Sequence, residues 1–306
     1  NTHLRLVLML RRGSSAKFMP NSSVFPGGVL DKSDLCFPRE KTNFFEGTQS
    51  PIRLELADDF ALRVCALREL FEEAGLLLVV EGEKRVVANA GEDAHLAEWR
   101  RKVMVKPALF SQLFHNRFQM DVSSLIPWSN WLTPFEPRPT PRFNTAFFLF
   151  LLTTPKQQKV RHCVKEMAEA EWTEPSQIIG KNAKGEVSLP PPQFYELSRI
   201  QRIECFKNEG KIREMVDPKR KTPHSFRVDG SALRVHALPG DYLYDETNPD
   251  FKPPVYGEEK ELSPPYPEDG TKPMHRMIFY TEEDKLRYYK LNLCVNIPSK
   301  MSLFDT

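Results

Sequence analysis

The chain has 306 residues, of which 40% are hydrophobic and 27% are charged, so it is long enough for one large domain or two ordinary ones. Its 43 basic and 41 acidic side chains leave a formal net charge of +2, and this even balance excludes a polybasic tail that binds nucleic acid or membranes. The longest apolar runs, such as Ala146–Leu152, are far shorter than the ~20 residues that cross a bilayer, so the sequence predicts a soluble protein.

The N-terminal residues are predicted to form two strands and a loop. The apolar run Leu4–Arg12 is typical of a buried strand, and Ser23–Leu30 predicts a second strand broken by a Pro-Gly-Gly corner. Residues 31–51 are polar, contain Pro38 and Gly47, and show no periodicity. We therefore predict that this segment is a loop insertion.

A helix is predicted next, over Leu56–Ala74. Apolar residues recur there at three- and four-residue spacing, Asp58 or Asp59 can cap the start, and Gly75 suits the position after the end. Residues 92–122 again show a helical pattern, although it carries many polar residues. This second pattern predicts a helical insertion.

The rest of the chain is predicted to be rich in strands. The apolar run Phe147–Leu152 suits the middle of a sheet, and Glu166–Thr173 is typical of a polar strand with Trp172 facing inward. Turns and short β-type runs dominate beyond these elements. We predict a main domain over residues 1–205 and a β-rich C-terminal extension over residues 206–306.

Three glutamates on the first predicted helix are the strongest candidates for chemistry. Glu69 lies three and four residues before Glu72 and Glu73, so their carboxylates crowd one side of the helix and repel each other. A divalent hard cation such as Mg²⁺ or Mn²⁺ would offset that repulsion, because it takes oxygen ligands and leaves room for phosphate and water. The alternative is a solvated acidic face without a ligand.

The order of residues around these glutamates resembles a known motif. Arg68–Leu76 is similar to the second half of the Nudix signature, and Phe25–Gly28 is similar to the glycine corner that opens it. In this chain the box, residues 28–76, is split by the loop insertion. Such an insertion is tolerated because the entropic cost of closing a loop grows slowly with the length of the loop. Asp34 stands where the signature has its first glutamate, and the sequence leaves open whether Asp34 takes that acidic role.

The resemblance to the Nudix hydrolase superfamily implies an α/β fold, an α/β/α sandwich with a mixed sheet, which here would carry the predicted helical insertion and the predicted β-rich C-terminal extension. It implies a metal-dependent diphosphatase whose catalytic and metal-binding residues are the three helix glutamates. Arg68 would fix the rotamer of a box carboxylate, and Gly27 and Gly28 would allow the backbone to approach the helix and the substrate.

Glu166 and Glu169 add to the same resemblance. They precede Trp172 by six and three residues, a spacing similar to that of a strand that follows the box in many Nudix domains. Either glutamate could serve as a catalytic base or as an additional metal ligand. The alternative is an exposed strand edge that is protected by charges.

Within the superfamily the chain is most similar to the nucleoside-diphosphate-linked moiety X motif 19 subgroup, which hydrolyses coenzyme A and acyl-CoA. The similar pieces are the split box and residues 131–134, 142–148, 191–196 and 238–244. The resemblance implies a small-molecule substrate, CoA or acyl-CoA, and the products 3′,5′-ADP and (acyl-)4′-phosphopantetheine. Candidates for binding the 3′-phosphate include Arg11, Arg12 and Arg142, and Phe143 is one of several aromatic residues that could hold the adenine or the pantetheine arm, although an aromatic residue is more often in a core.

The sequence also departs from this pattern. The LLTxRS-type motif found upstream of the box in other CoA-cleaving Nudix enzymes is missing. Two alternative functions also stay open. One is a Nudix hydrolase of an NDP-sugar, a dinucleotide or an NAD- or CoA-capped RNA, and the other is an inactive Nudix binding module. The intact glutamates argue against an inactive module, and the near-neutral charge disfavours long RNA.

Cysteine usage and family resemblance together suggest a location. The five cysteines are dispersed and lack metal or CxxC spacing, which indicates reduced thiols inside a cell. The subgroup resemblance implies the peroxisome. The chain closes Leu303-Phe304-Asp305-Thr306, which is not a Ser-Lys-Leu-type signal, so mitochondrion and cytoplasm stay as alternatives.

Overall fold

The computed structural model describes residues 6–14, 16, 19–44, 58–115, 117–135, 142–152, 160, 167–203, 209–249, 260–262, 272–282 and 285–292. The helices are α1 (Lys32–Leu35), α2 (Asp59–Ala74), α3 (Ala94–Val105), α4 (Pro175–Ala183), α5 (Pro191–Ile200) and α6 (Glu209–Glu214). The strands are β1 (Val7–Arg12), β2 (Ser23–Val24), β3 (Leu76–Glu81), β4 (Lys84–Asn89), β5 (Phe118–Met120), β6 (Ile126–Leu132), β7 (Asn144–Leu149), β8 (Met167–Thr173), β9 (Asp217–Lys221), β10 (His224–Val228), β11 (Arg234–Ala237), β12 (Lys260–Leu262), β13 (Arg276–Glu282) and β14 (Lys285–Asn292). Across these ranges no helix is both long and apolar enough to span a membrane.

The chain divides into two compact units. The first unit comprises residues 1–129, 146–175 and 204–218, and the second comprises residues 130–145, 176–203 and 219–306. The second unit therefore groups helix α5 with the C-terminal strands. The functional boundary expected after residue 205 stays a prediction.

Helix α2 forms in the first unit because both of its ends are capped and its inner face is apolar. Asp58 caps the start by accepting a hydrogen bond from the backbone of Ala61, and Gly75 ends the helix in the left-handed conformation at φ 74°. The side chains on its inner face are buried and pack against strand β3 and against the chain between α3 and β5; they are Phe60, Val64, Leu67 and Phe71. This packing fixes the rotation of α2 and hence the side on which its glutamates lie.

Two antiparallel three-stranded sheets flank this helix within the first unit. Their strand orders are β2-β1-β8 and β4-β3-β5. Trp172 on β8 lies opposite Leu8 on β1, and both pack with Ala74 at the end of α2 and Leu76 at the start of β3. Trp172 therefore faces inward, as the strand pattern predicts.

Three of the predicted elements need correction. The segment over residues 31–51 was expected to be a loop, but it contains α1 and a 3-10 helix at Arg39–Lys41. The helical insertion holds α3 and a 3-10 helix at Pro107–Leu113, but it ends in strand β5, because pairing with β3 outweighs the local helical pattern. A third sheet has the order β7-β6-β9, so among the described strands the apolar run that begins at Phe147 lies on an edge strand and not in the middle of a sheet.

The C-terminal part is rich in strands, as its turns predict. In the second unit five strands form one sheet in the order β12-β10-β11-β13-β14, in which only the β10–β12 pairing is parallel among the described strand pairs. One face of this sheet carries a small core of Phe226, Val228, Val235, Ala237 and Ile278. The alternation of apolar and polar residues along β10 and β11 produces this face.

Candidate active site

Arg68 is the centre of a charged cluster on helix α2. Its Nε and Nη2 donate to the two carboxylate oxygens of Asp34, both at 2.9 Å, and its Nη1 donates to an oxygen of Glu69 and of Glu72, both at 2.8 Å. Nη2 also donates to the backbone carbonyl of Val29 at 3.1 Å. A single guanidinium therefore holds three carboxylates and the chain that follows the glycine corner.

Helix α1 explains how Asp34 reaches this cluster. Asp31 caps α1 by accepting from the backbone of Ser33 at 2.8 Å, and Asp34 accepts from the backbone of Asp31 at 2.9 Å, which completes a capping box. Asp34 is buried, and both of its oxygens bind Arg68. The structure thus answers the question that the sequence leaves open: Asp34 anchors Arg68. The Asp-x-x-Asp spacing at residues 31–34 is the sequence signal that indicates this short helix.

The glycine corner lies against the same helix. The backbone N–H of Gly27 donates to a carboxylate oxygen of Glu73 at 2.8 Å. A Cβ on Gly28 would come within 2.5 Å of the carboxyl carbon of Glu69, so a residue with a side chain cannot occupy position 28 without displacing that carboxylate. The structure therefore brings together the two parts of the split motif that the sequence resemblance links.

The electrostatics of the cluster favour a cation. Arg68 supplies one positive charge against the three negative charges of Asp34, Glu69 and Glu72. Burial raises the pKa of the Glu69 carboxyl, an effect that Arg68 opposes and the charge of Glu72 reinforces. The side chains of Glu69 and Glu72 are 14% and 15% exposed, whereas Arg68 is 3% exposed, so the surplus charge lies on the accessible side of the cluster.

Cys65 is a member of this cluster that the sequence pattern does not indicate. Its buried sulfur accepts a hydrogen bond from Nη2 of Arg68 at 3.6 Å. Burial, together with the negative charge of Asp34, raises the pKa of the thiol, so it is neutral at physiological pH. Cys65 therefore lines the buried side of the guanidinium without adding a further charge.

The predicted residues on strands β1 and β8 make contacts with each other across their own sheet. Arg11 and Glu169 are opposite each other in the antiparallel pair and form an ion pair of 3.8 Å between side chains that are about half exposed. Such an exposed pair contributes about 0–1 kcal/mol. Arg12 lies opposite Met167, and its backbone N–H donates to the carbonyl of Ser22. Glu166 lies outside the described residues.

Arg142 and Phe143 belong to the second unit, where they secure the connection between β6 and β7. Nε of Arg142 donates to the backbone carbonyl of Thr133 at 3.0 Å, and its guanidinium lies 5.6 Å from the ring centre of Phe135. The backbone N–H of Phe143 donates to the hydroxyl of Thr133 at 3.0 Å. Their roles in binding a substrate stay predictions.

The donor chemistry of the cluster fits the implied Mg²⁺ or Mn²⁺. Within the described part of the chain, no three His, Cys, Asp or Glu side chains are grouped closely enough to form a ready-made metal site. However, Mg²⁺ is usually bound by one or two carboxylates together with water and substrate phosphates. Glu69 and Glu72, which are held by the same nitrogen of Arg68 and keep surplus charge, meet that requirement.

Comparison with known proteins identifies the class to which this fold and this cluster belong. The protein resembles a solved structure described as a Nudix hydrolase from Alicyclobacillus acidocaldarius, with a TM-score of 0.51 and 26% sequence identity, over 68% of this chain and 87% of that chain. This neighbour confirms the predicted α/β Nudix fold, and the protein is an enzyme of the Nudix hydrolase class.

The family follows from two further matches. The family model described as the NUDT19 Nudix domain matches residues 35–200, which is more than half of the chain. The proteins named acyl-coenzyme A diphosphatase NUDT19 from Homo sapiens and Xenopus laevis are each 33% identical to it, over 90% and 82% of this chain and over 80% and 74% of those proteins. The chain belongs to the NUDT19 Nudix domain family.

Proposed function

We propose that this enzyme hydrolyses the diphosphate bond of CoA or acyl-CoA in a reaction that requires Mg²⁺ or Mn²⁺. The products would be 3′,5′-ADP and 4′-phosphopantetheine or its acyl derivative. The observation that carries the proposal is the Arg68 cluster with its surplus of accessible carboxylate charge. The substrate is taken from the names of the relatives, which are called acyl-coenzyme A diphosphatases.

The metal would be held by Glu69 and Glu72, with Glu73 as a third ligand. A bound divalent ion offsets the charge of the diphosphate and increases the acidity of a coordinated water. The chain itself orients these groups: Arg68 holds the carboxylates of Glu69 and Glu72, and Asp34 fixes the guanidinium.

The remaining site residues have smaller or less direct parts in the proposal. Gly27 and Gly28 keep the backbone close to the helix carboxylates, since the first donates to Glu73 and the second leaves room for Glu69. The proton of the attacking water would pass to a carboxylate, for which Glu166 and Glu169 stay the candidates. Residence in the peroxisome is proposed on the family resemblance alone.

A panel of substrates tests this proposal. CoA, an acyl-CoA, ADP-ribose, NADH and a UDP-sugar would each be incubated with enzyme and Mg²⁺ or Mn²⁺, with and without chelator, and the products separated by chromatography. We expect the highest kcat/KM with CoA or acyl-CoA, and release of 3′,5′-ADP. Preference for ADP-ribose, NADH or the UDP-sugar would contradict the proposed substrate.

A variant pair tests the role of the carboxylates in the same assay. Glu72→Gln should lower kcat by at least about 100-fold, because outer-shell partners of a metal alone account for about 10- to 100-fold. Glu98→Gln is the matched control, since Glu98 is an exposed residue of α3 that pairs with Lys102. If Glu72→Gln kept full turnover in Mg²⁺, the proposed mechanism would be wrong.

A further inference from the structure

Arg100 occupies an unexpected position on helix α3. Leu96 and Val103 on the same helix are buried in the main core of the first unit, and Arg100 lies four residues after one and three residues before the other. At this spacing all three side chains lie on one face, so the helical pattern calls for an apolar residue at position 100. An arginine in the apolar stripe requires a partner that uses its charge.

The partner is the C-terminal end of helix α2. Nε of Arg100 donates to the backbone carbonyl of Glu72 at 2.9 Å, and Nη2 donates to the backbone carbonyl of Glu73 at 2.9 Å. The last carbonyls of a helix have no partner within the helix, and a positive charge at this end also interacts favourably with the helix dipole. Arg100 therefore satisfies two of these carbonyls with one planar group.

Gly75 leaves the space that this contact needs. A Cβ at that position would lie 3.1 Å from Nη1 of Arg100, and the residue is in the left-handed conformation at φ 74°. The final glycine of the box thus serves both to end α2 and to admit the arginine from α3. The helical insertion is joined to the box at this point.

We propose that Arg100 is a positioning residue for the hydrolytic reaction, which keeps the last turn of α2 wound so that Glu72 and Glu73 stay in place to bind the divalent cation. The inference rests on the proposed metal role of these glutamates. Glu69 accepts from Nη1 of Arg68 and lies about one turn before the two carbonyls that Arg100 binds. Loss of Arg100 should therefore affect the last turn of the helix first.

The test compares Arg100→Met, Arg100→Lys and Arg101→Gln with the wild-type enzyme. Methionine keeps an apolar stem in the stripe and removes the donors, lysine keeps the charge but lacks the planar pair of donors, and Arg101 is an exposed neighbour. Two measurements are made: Mn²⁺ affinity of the substrate-free protein by electron paramagnetic resonance, and kcat and KM at saturating Mn²⁺.

We expect Arg100→Met to weaken Mn²⁺ binding by about 10- to 100-fold and to lower kcat more than it changes KM. Arg100→Lys should lie between this variant and wild type, and Arg101→Gln should match wild type. Amide hydrogen exchange should be faster in the last turn of α2 in both Arg100 variants.

The inference would be overturned if Arg100→Met kept the Mn²⁺ affinity and the kcat of the wild-type enzyme. A lower midpoint temperature of unfolding would not rescue it, because stability loss alone would mean that Arg100 has a purely structural role. Unchanged hydrogen exchange in the last turn of α2 would overturn it as well. The Mn²⁺ and exchange measurements need no substrate. An enzyme that cleaved a different diphosphate would therefore refute the CoA proposal without affecting this one.

Discussion

Two buried Asp–Arg pairs in this protein have nearly the same geometry, one in each unit. In the first unit Asp34 accepts two hydrogen bonds of 2.9 Å from Nε and Nη2 of Arg68. In the second unit Asp241 accepts bonds of 2.7 Å and 2.6 Å from the same two nitrogens of Arg276. Both are bidentate pairs of the kind that fixes a guanidinium in one orientation.

The surroundings of the two arginines differ. Arg68 uses its remaining nitrogen to hold Glu69 and Glu72, whose side chains are partly exposed. Arg276 lies 4.6 Å from the ring centre of Tyr242, and both members of its ion pair are fully buried. The comparison shows that the pair alone does not indicate function: an ion pair becomes part of a site when it orients further charges toward solvent.

The largest expected effect is a loss of stability when the buried Asp–Arg pair of the second unit is broken. Asp241→Asn should lower the free energy of unfolding by about 3–5 kcal/mol, because it leaves the buried charge of Arg276 uncompensated. Activity per folded molecule should not change. Denaturant unfolding measures the loss, and Asp229→Asn, at an exposed turn, is the control that should stay within about 0.5 kcal/mol. A loss below about 1 kcal/mol would show that the buried pair is not stabilised by its charges.

A pH effect on stability is expected from one buried histidine of the second unit. Burial lowers the pKa of His236 to about 3, with a smaller contribution from Arg234, so the folded protein keeps this imidazole neutral. Between its ordinary pKa of 6.5 and about 3, the unfolded chain binds a proton that the folded chain does not. Stability therefore falls as the pH is lowered through this window, by up to about 1.4 kcal/mol per pH unit.

His236→Phe removes this titration and should flatten the dependence of unfolding free energy on pH between 6 and 4, as measured by denaturant unfolding at each pH. His95→Gln, at an exposed position on α3, is the matched control and should leave the slope unchanged. An unaltered slope in His236→Phe would mean that His236 already binds its proton in the folded protein.

The smallest effect on stability is expected at the pair in the first unit. Asp34→Asn should cost about 1–3 kcal/mol, less than Asp241→Asn, because Arg68 keeps Glu69 and Glu72 as partners. In contrast to the second unit, kcat should fall about 10- to 100-fold, since Arg68 would no longer be fixed. Asp31→Asn is the control, because asparagine caps a helix as well as aspartate does. Wild-type turnover in Asp34→Asn would remove the distinction between the two pairs.

Local patterns in the sequence were sufficient to predict the helix that carries the site. The cap at Asp58 and the ending at Gly75 both lie within one continuous stretch, and the structure has both of them. The glycine corner could be linked to this helix only through its resemblance to a known motif, because Gly28 and Glu69 are 41 positions apart in the chain. Local sequence patterns predict helices and strands. They predict a contact between two residues only where few residues separate them in the chain.

The tertiary structure decided which side chains act together. Asp34 binds Arg68 across 34 positions of the chain, and Arg100 reaches the end of α2 from a different helix. The same holds for β5, where a helical pattern gives way to pairing with β3. By itself the sequence determined the helix, its glutamates and the family resemblance, since these depend on spacing along the chain. The ion-pair partners depended on folding, because a buried charged side chain pairs with the opposite charge that tertiary packing places next to it.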